Sequence, residues 1–191
     1  AMDEKFGLNF SGNYTVQKNN MGGLDLSGVA LSLAPNAPAL YDDQGDLNWE
    51  NSTWVNPLAA LEAKSLRVTN NLVANSVLSY KFLPNLQMRS SFGYNDVVHN
   101  ERLTLPHTLY DPAYGLNSSA SSLYMSMTGI RSWLAEPQLH WDLKIGEGKI
   151  EALMGATFQE QRTTRLFTSG SGFASNALIN DMASASYRAV Q

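Results

Sequence analysis

The chain has no cysteine, little charge and no long apolar run. Among its 191 residues 16% are charged, with 13 Lys and Arg against 17 Asp and Glu. The absence of cysteine excludes a disulfide framework and a thiolate metal site. No Lys/Arg cluster occurs, which excludes the basic patch typical of nucleic-acid binding. No run of 18 or more apolar residues occurs, which excludes a transmembrane helix.

The most informative feature that is present is a long alternation of apolar and polar residues. Between Lys5 and Gln17 one parity carries Phe6, Leu8, Phe10, Tyr14 and Val16, and the other is polar. A period of two places successive side chains on opposite faces of an extended strand. One face of this strand therefore meets an apolar medium, which is either a protein core or lipid.

Four further segments repeat the pattern, which predicts an all-β fold of antiparallel up-and-down strands. The predicted strands cover residues 4–17, 68–82, 86–96, 133–145 and 149–163, with long loops at 18–67 and 97–132. Leu83-Pro84-Asn85 and Gly146-Glu147-Gly148 are predicted to be tight turns. Pro137 cannot donate to the sheet ladder, so it predicts a bulge or an unpaired edge.

Strand length, loop length and aromatic placement favour lipid as the apolar medium. Strands of soluble proteins cluster near five or six residues, whereas membrane strands need about nine to eleven. Short turns that alternate with long loops are typical of outer-membrane barrels. The segment from Leu72 to Phe82, at ~3.3 Å per residue and ~45° tilt, spans roughly 23 Å, close to the apolar band of about 25 Å. Aromatic residues lie near both ends of the predicted strands, as in interfacial girdles.

Several motifs are distinctive in their order along the chain. The first loop carries a proline-spaced stretch that ends in Tyr41-Asp42-Asp43-Gln44-Gly45, followed by Asn56-Pro57-Leu58-Ala59-Ala60-Leu61. Further segments are Asn71-Leu72-Val73-Ala74-Asn75, Arg89-Ser90-Ser91-Phe92-Gly93-Tyr94-Asn95, Trp133 with Glu136-Pro137 and Trp141, and Gly155-Ala156-Thr157. Together, over nearly the whole chain, they resemble the SusC/RagA family of TonB-dependent outer-membrane transporters.

This resemblance implies a segment of a large transmembrane β-barrel, about five strands of 22. It further implies import of oligosaccharides or peptides across the outer membrane of a Gram-negative bacterium, with a SusD-like lipoprotein and the TonB complex as partners of the full-length protein. The plug domain and the TonB-contacting segment are not in this chain. We interpret the opening Ala1-Met2 as a cloning remnant and expect the chain to be a piece of a longer protein.

No motif indicates catalysis or a resident cofactor, so we predict that the chain is not an enzyme. His99, His107 and His140 are scattered without the spacing of metal ligands. Asp42, Asp43, Asp46 and Glu50 offer oxygen ligands for Ca²⁺, but Gly45 precedes Asp46 and breaks the calcium-loop pattern. A solvated acidic loop is the preferred interpretation.

Substrate contact is predicted in the first long loop, where aromatic residues stand among amides and carboxylates. Aromatic faces flanked by hydrogen-bonding groups suit sugar rings. The predicted substrate-binding residues are Tyr41, Trp49, Trp54, Asn36 and Asp42. Packing of these aromatics within the loop is the alternative. For the chain as a whole, the alternative to a transporter segment is a soluble β-sandwich carbohydrate-binding module, whose apolar faces would pack on each other.

Overall fold

Seven strands form one sheet in the computed structural model, which describes residues 5–191. Ala1-Met2 and the predicted strand start at residue 4 lie outside this range. The strands are β1 Phe6–Gly22, β2 Lys64–Leu83, β3 Leu86–Leu105, β4 Ser122–Ile145, β5 Gly148–Gly155, β6 Phe158–Ser171 and β7 Tyr187–Val190. The loops hold one short α-helix, α1 Ser27–Ser32, and 3-10 segments at Glu50–Ser52, Pro57–Glu62, His107–Leu109, Pro112–Tyr114, Ser118–Ala120, Asn176–Leu178 and Met182–Ser184.

The order of the strands follows the chain. The hydrogen-bonded neighbours in the sheet follow the order β1-β2-β3-β4-β6-β7. Outside this order, β5 also pairs with β4. The β4–β5 and β6–β7 pairs are antiparallel. The predicted all-β, antiparallel fold is confirmed. Among the described residues the sheet stays open, because its order ends at β1 and β7 and does not close into a barrel.

The strands extend further than the apolar alternation predicts. β1 continues to Gly22, β2 begins at Lys64 and β3 continues to Leu105, all inside the predicted loops 18–67 and 97–132. The extensions carry charged residues; Arg67 Nε, for example, pairs with Glu101 Oε1 at 2.8 Å across β2 and β3. Backbone ladders do not require an apolar parity, so hydropathy alone makes the predicted strands too short. The loops that remain are 23–63, 106–121 and 172–186.

The strand that contains Pro137 is continuous, and the interruption lies in the strand paired with it. β4 runs through Pro137 without a break, while the predicted strand 149–163 is split into β5 and β6 at Ala156 and Thr157. Ala156 N donates to Pro137 O at 3.1 Å. Proline has no N–H to return that bond, so one ladder hydrogen bond is missing at this point. The result is a gap in the ladder in place of a bulge.

The chain divides into two compact units. One holds the part up to Val16, Thr69–Val98 and Thr128–Thr164; the other holds Gln17–Val68, His99–Met127 and Arg165–Gln191. Among the described residues, every buried apolar side chain belongs to the second unit. Its main cluster contains Leu123, Phe173, Ile179 and Ala185, with Met182 packed against them. The first unit is a sheet whose apolar side chains remain accessible.

No helix in the part of the chain that the structure describes has the length and apolar character needed to cross a membrane.

Candidate functional site

One buried amide, that of Asn56, organises the first loop. Its side chain is 1% exposed, and Nδ2 donates to the backbone oxygens of Leu40 at 2.6 Å and Asn48 at 2.9 Å. Its Oδ1 accepts from the backbone N of Leu58 at 2.9 Å and so caps the segment Pro57–Glu62. A single side chain therefore links Leu40 and Asn48 to the start of the segment Pro57–Glu62, and the Asn-Pro pair also starts a helical turn.

The backbone directly after Trp49 is left-handed over three residues. Glu50, Asn51 and Ser52 have φ values of 46°, 53° and 64°, and none of them is glycine. Each such residue costs on the order of 1–2 kcal/mol. A contact with the second loop offsets part of this cost, because Ser52 Oγ donates to Asp111 Oδ2 at 2.5 Å. The strained turn fixes Trp49 relative to loop 106–121.

Asp111 is the fixed point of the second loop. It is 6% exposed, and its Oδ1 accepts from the backbone N of Ala113 at 2.8 Å while Oδ2 accepts from Ser52. Both carboxylate oxygens are therefore occupied by hydrogen bonds within the second unit. Hydrogen bonds to the charged form offset the cost of burying a carboxylate. Asp111 therefore links the two loops, with one hydrogen bond to each carboxylate oxygen.

These contacts create a cleft of about 450 Å³ between the first and second loops. We call it the loop cleft; it is lined by Asp46, Leu47, Trp49, His107, Thr108, Tyr110, Asp111, Pro112 and Leu116. Trp49 is half-buried and Tyr110 is exposed. Two aromatic rings beside carboxylate, imidazole and hydroxyl groups provide flat apolar surface and hydrogen-bonding edges together. A single sugar ring or a few peptide residues fit a cleft of this size.

The third loop holds His107 at the wall of the cleft. His107 N donates to Ser121 Oγ at 2.9 Å, and Ser121 Oγ donates to Asn176 Oδ1 at 2.7 Å. The imidazole Nδ1 lies 3.2 Å from the same Asn176 oxygen. Ser121 is fully buried. Because Asn176 comes from loop 172–186, all three loops contribute to the position of groups around the loop cleft.

Of the five predicted substrate-binding residues, the structure brings only Trp49 into the loop cleft. Trp54 Nε1 donates to the backbone oxygen of Asn48 at 3.1 Å, so this side chain stabilises the loop itself. Asp42 Oδ1 accepts from Gln44 N and Asp46 N, both at 2.9 Å, and so closes a turn. Tyr41 forms an isolated backbone bridge with Leu47, and Asn36 is exposed beside the Ala34–Ala37 turn. For Trp54 and Asp42 the internal packing role is the one that the geometry supports.

The sequence predicted neither Tyr110 nor His107 as a binding residue. Both line the loop cleft together with Trp49, from which they are separated by more than fifty positions of sequence, so no local pattern predicts this arrangement. The one available signal was turn chemistry. Pro106-His107 and Asp111-Pro112 mark two tight turns that hold this part of the loop together.

Acidic side chains of the first loop accept hydrogen bonds from neighbouring groups of the same loop. Asp42 spends one oxygen on backbone N–H groups, as described above, and Asn48 Nδ2 donates to Glu50 Oε2 at 3.3 Å. Within residues 5–191 no group of three or more His, Asp or Glu side chains is close enough to hold a metal ion.

A second candidate surface is the apolar face of the first unit. On β1, Phe6, Leu8 and Phe10 are 61%, 60% and 69% exposed. At roughly 200 Å² per aromatic side chain, Phe6, Phe10 and Tyr14 alone leave roughly 400 Å² accessible. The largest apolar patch of a typical soluble monomer is about 300–600 Å² in total. Exposed apolar residues of β2 to β6 add to this surface, among them Leu72, Tyr80, Phe82, Met88, Phe92, Trp133, Leu139, Trp141, Ile150, Met154 and Phe158.

Aromatic residues with polar partners border this apolar face on one side. Tyr14 Oη donates to Asn70 Oδ1 at 3.3 Å, linking β1 and β2. Tyr94 Oη donates to Asp96 Oδ2 at 3.2 Å on β3. Trp133 Nε1 donates to Glu160 Oε2 at 3.1 Å, linking β4 and β6. We call these three aromatic residues the girdle.

An ion pair continues the same border. Arg131 Nε on β4 contacts Asp96 Oδ2 at 3.1 Å, so the carboxylate that accepts from Tyr94 also pairs with a cation. Cross-strand partners share a face of a sheet, which places this pair and the girdle on the same face. Beyond the girdle the apolar face becomes charged.

The opposite parity of the first unit is polar. Ser91 Oγ on β3 donates to Glu136 Oε2 at 3.0 Å, and Thr157 Oγ1 donates to Glu136 Oε1 at 3.4 Å. Amide and hydroxyl side chains occupy the same parity on β1 and β2, including Asn9, Ser11, Asn13, Asn71 and Asn75. The two faces of this sheet therefore differ sharply in chemistry.

Comparison of the sequence with protein-family models and with curated proteins finds no match.

Proposed function

We propose that this chain is part of an outer-membrane importer of the SusC-like, TonB-dependent kind, in which it contributes barrel wall and extracellular loops. The observation that carries the proposal is the exposed apolar face of β1 to β6, bordered by the girdle. Interfacial Tyr and Trp residues with an apolar body and a hydrogen-bonded tip are typical of membrane strands. In this reading the apolar parity contacts lipid and the polar parity lines the lumen.

Strand length supports the same assignment. β2, β3 and β4 have 20, 20 and 24 residues, well above the five or six usual in soluble proteins. The turn at Pro84-Asn85 is short, whereas the loops 23–63 and 106–121 at the other strand ends are long. Short turns on one side and long loops on the other are the outer-membrane arrangement. The loop cleft then lies on the extracellular side, where ligand would be met first.

The proposed cargo and partners come from the resemblance of the sequence motifs. Oligosaccharides or peptides are the proposed cargo. Trp49 and Tyr110, which line the loop cleft, are the proposed contact residues. A SusD-like lipoprotein and the TonB complex would act on the full-length protein in the outer membrane of a Gram-negative bacterium. The single sheet of the described residues offers no observation in favour of the β-sandwich alternative, which needs a second sheet to cover the apolar face.

Tryptophan quenching in lipid vesicles tests the proposal, because the four tryptophans fall into two pairs. A Trp49→Phe/Trp54→Phe variant keeps only Trp133 and Trp141 of the sheet. A Trp133→Phe/Trp141→Phe variant keeps only the loop tryptophans and is the matched control. Each variant is refolded into vesicles of lipid brominated at defined acyl positions.

We expect bromolipid to quench the sheet tryptophans and to leave the loop tryptophans unaffected. Bromine quenches at short range, so only indole rings in contact with acyl chains respond. Equal, weak quenching of both variants would contradict the proposal. So would a chain that is monomeric and cooperatively folded without detergent or lipid.

A further inference from the structure

The three long loops carry acidic residues and no Lys or Arg. None of the 13 Lys and Arg residues of the chain lies in loops 23–63, 106–121 or 172–186. Eight of the 17 acidic residues do: Asp25, Asp42, Asp43, Asp46, Glu50, Glu62, Asp111 and Asp181. In the strands, Lys and Arg residues outnumber Asp and Glu residues. A ligand that approaches the loop cleft therefore meets a negative potential with no side-chain cation from these loops to pair with it.

The ring of His107 has a defined hydrogen-bonding direction. Ser121 Oγ accepts from His107 N, so its own hydroxyl hydrogen is free to donate to Asn176 Oδ1. That amide oxygen can only accept, and it lies 3.2 Å from His107 Nδ1, closer than the 3.5 Å from Nδ1 to Ser121 Oγ. The shorter contact favours the tautomer with the proton on Nδ1. In the neutral ring Nε2 is then left as an acceptor.

The other polar groups of the loop cleft comprise two donors, the Trp49 indole N–H and the Tyr110 hydroxyl, and a set of acceptors and engaged groups. Asp111 uses both carboxylate oxygens internally. Thr108 Oγ1 donates to Glu62 Oε2 at 3.3 Å. Asp46 is exposed and is one of the residues that line the cleft. Asp46 and His107 Nε2 both require a donor from the ligand.

We infer that the loop cleft selects ligands that donate hydrogen bonds and carry no negative charge, with His107 as a specificity-determining residue through Nε2. Sugar hydroxyls and ammonium groups share this donor chemistry. Uronic-acid and sulfated glycans would place an anion beside Asp46 with no cation to compensate it. The inference rests on the proposed function only in taking the loop cleft as the place of ligand contact.

Calorimetric titration of the full chain in detergent micelles tests the inference. The probes are neutral hexasaccharides of glucose, xylose and mannose, hexagalacturonate as the anionic match, and hexalysine as the ammonium source. We expect at least one neutral or cationic probe to bind on the order of tenfold more tightly than hexagalacturonate. A hexasaccharide that binds identifies hydroxyl donors, and hexalysine identifies ammonium donors.

Two variants and one control examine His107 itself. His107→Phe removes the acceptor Nε2 and should lower the affinity for the probe roughly three- to tenfold, because one hydrogen bond is lost. Asn176→Ala releases the ring and should weaken binding less, while changing the ¹⁵N signals that report which ring nitrogen is protonated. His140→Phe, on β4 in the first unit, should leave binding unchanged.

The inference is overturned if hexagalacturonate binds as tightly as the neutral probes, if no probe binds, or if His107→Phe has no effect. A neutral ring protonated at Nε2 also overturns it. None of these results changes the bromolipid quenching of Trp133 and Trp141. Failure of this inference is therefore distinguishable from failure of the proposed membrane location.

Discussion

Replacement of Phe10 by Arg separates a lipid-facing sheet from one that faces water. Phe10 lies mid-strand on the apolar parity of β1 and is 69% exposed. About 140 Å² of its roughly 200 Å² side chain is thus available to lipid. At about 25 cal/mol per Å², transfer of this surface out of water contributes about 3.5 kcal/mol. Replacement by arginine removes this transfer free energy.

The charge adds a second penalty. Charged residues on the lipid face of a membrane barrel cost about 2–4 kcal/mol near the midplane. In vesicles we therefore expect Phe10→Arg to lower the free energy of unfolding by several kcal/mol. In detergent-free water the same change should fall within about 0.5 kcal/mol, as for any exposed position.

Asn9→Arg is the matched control, because Asn9 is the neighbouring residue on the polar parity and is also exposed. It should be tolerated in both media. The assay is urea unfolding of vesicle-inserted protein, followed by tryptophan fluorescence and by the mobility shift of folded protein in gels. The reasoning is refuted if the two arginine variants lose the same stability in vesicles.

Three further predictions concern the loops. Asn56→Ala removes three hydrogen bonds from a buried site and should destabilise loop 23–63 by roughly 2–4 kcal/mol, seen as faster hydrogen exchange, whereas the exposed Asn36→Ala should have no effect. Gly170→Ala brings a methyl group within 2.9 Å of Ala185 Cβ and should cost about 1–3 kcal/mol by thermal unfolding, whereas Gly28→Ala meets nothing within 4 Å, lies in α1 and should not destabilise the chain. Hydrogen bonds from the Ser184 hydroxyl and the Ala183 N–H lower the pKa of Asp181. The contacts of loop 172–186 should therefore be intact above about pH 4 and weaken as the pH falls through the lowered pKa, and Asp181→Asn should abolish this pH dependence in hydrogen-exchange measurements.

The strands were predictable from the sequence wherever apolar and polar side chains alternate. Phe6 to Val16 and Leu72 to Phe82 alternate because each face meets a single medium, so the sequence alone identifies both strands. Lys64 to Arg67 and Asn100 to Leu105 are too short and too rich in charged residues to show a sustained alternation. Their strand structure comes from backbone pairing with partners that are distant in sequence, and residue composition does not report that pairing.

The loop cleft was less predictable, since its residues meet only after the three loops fold. Trp49 was identified from local composition. Trp54 has the same composition around it, yet it points to Asn48 and serves the loop itself. Its role is decided by the amide of Asn56 and by the left-handed turn at Glu50–Ser52, which are properties of the folded chain. The partner residues His107 and Asn176 come from loops that no local signal connects.

The most direct test of lipid contact is a nitroxide scan of β2. The chain has no cysteine, so single cysteines can be placed one at a time at each position from Leu72 to Phe82. Collision rates of the attached spin label with oxygen and with a polar nickel chelate are then measured in vesicles. Lipid contact predicts a period of two, with Leu72, Leu78 and Tyr80 accessible to oxygen and Asn75 and Ser79 accessible to the chelate. Accessibility to the chelate at both parities would contradict it.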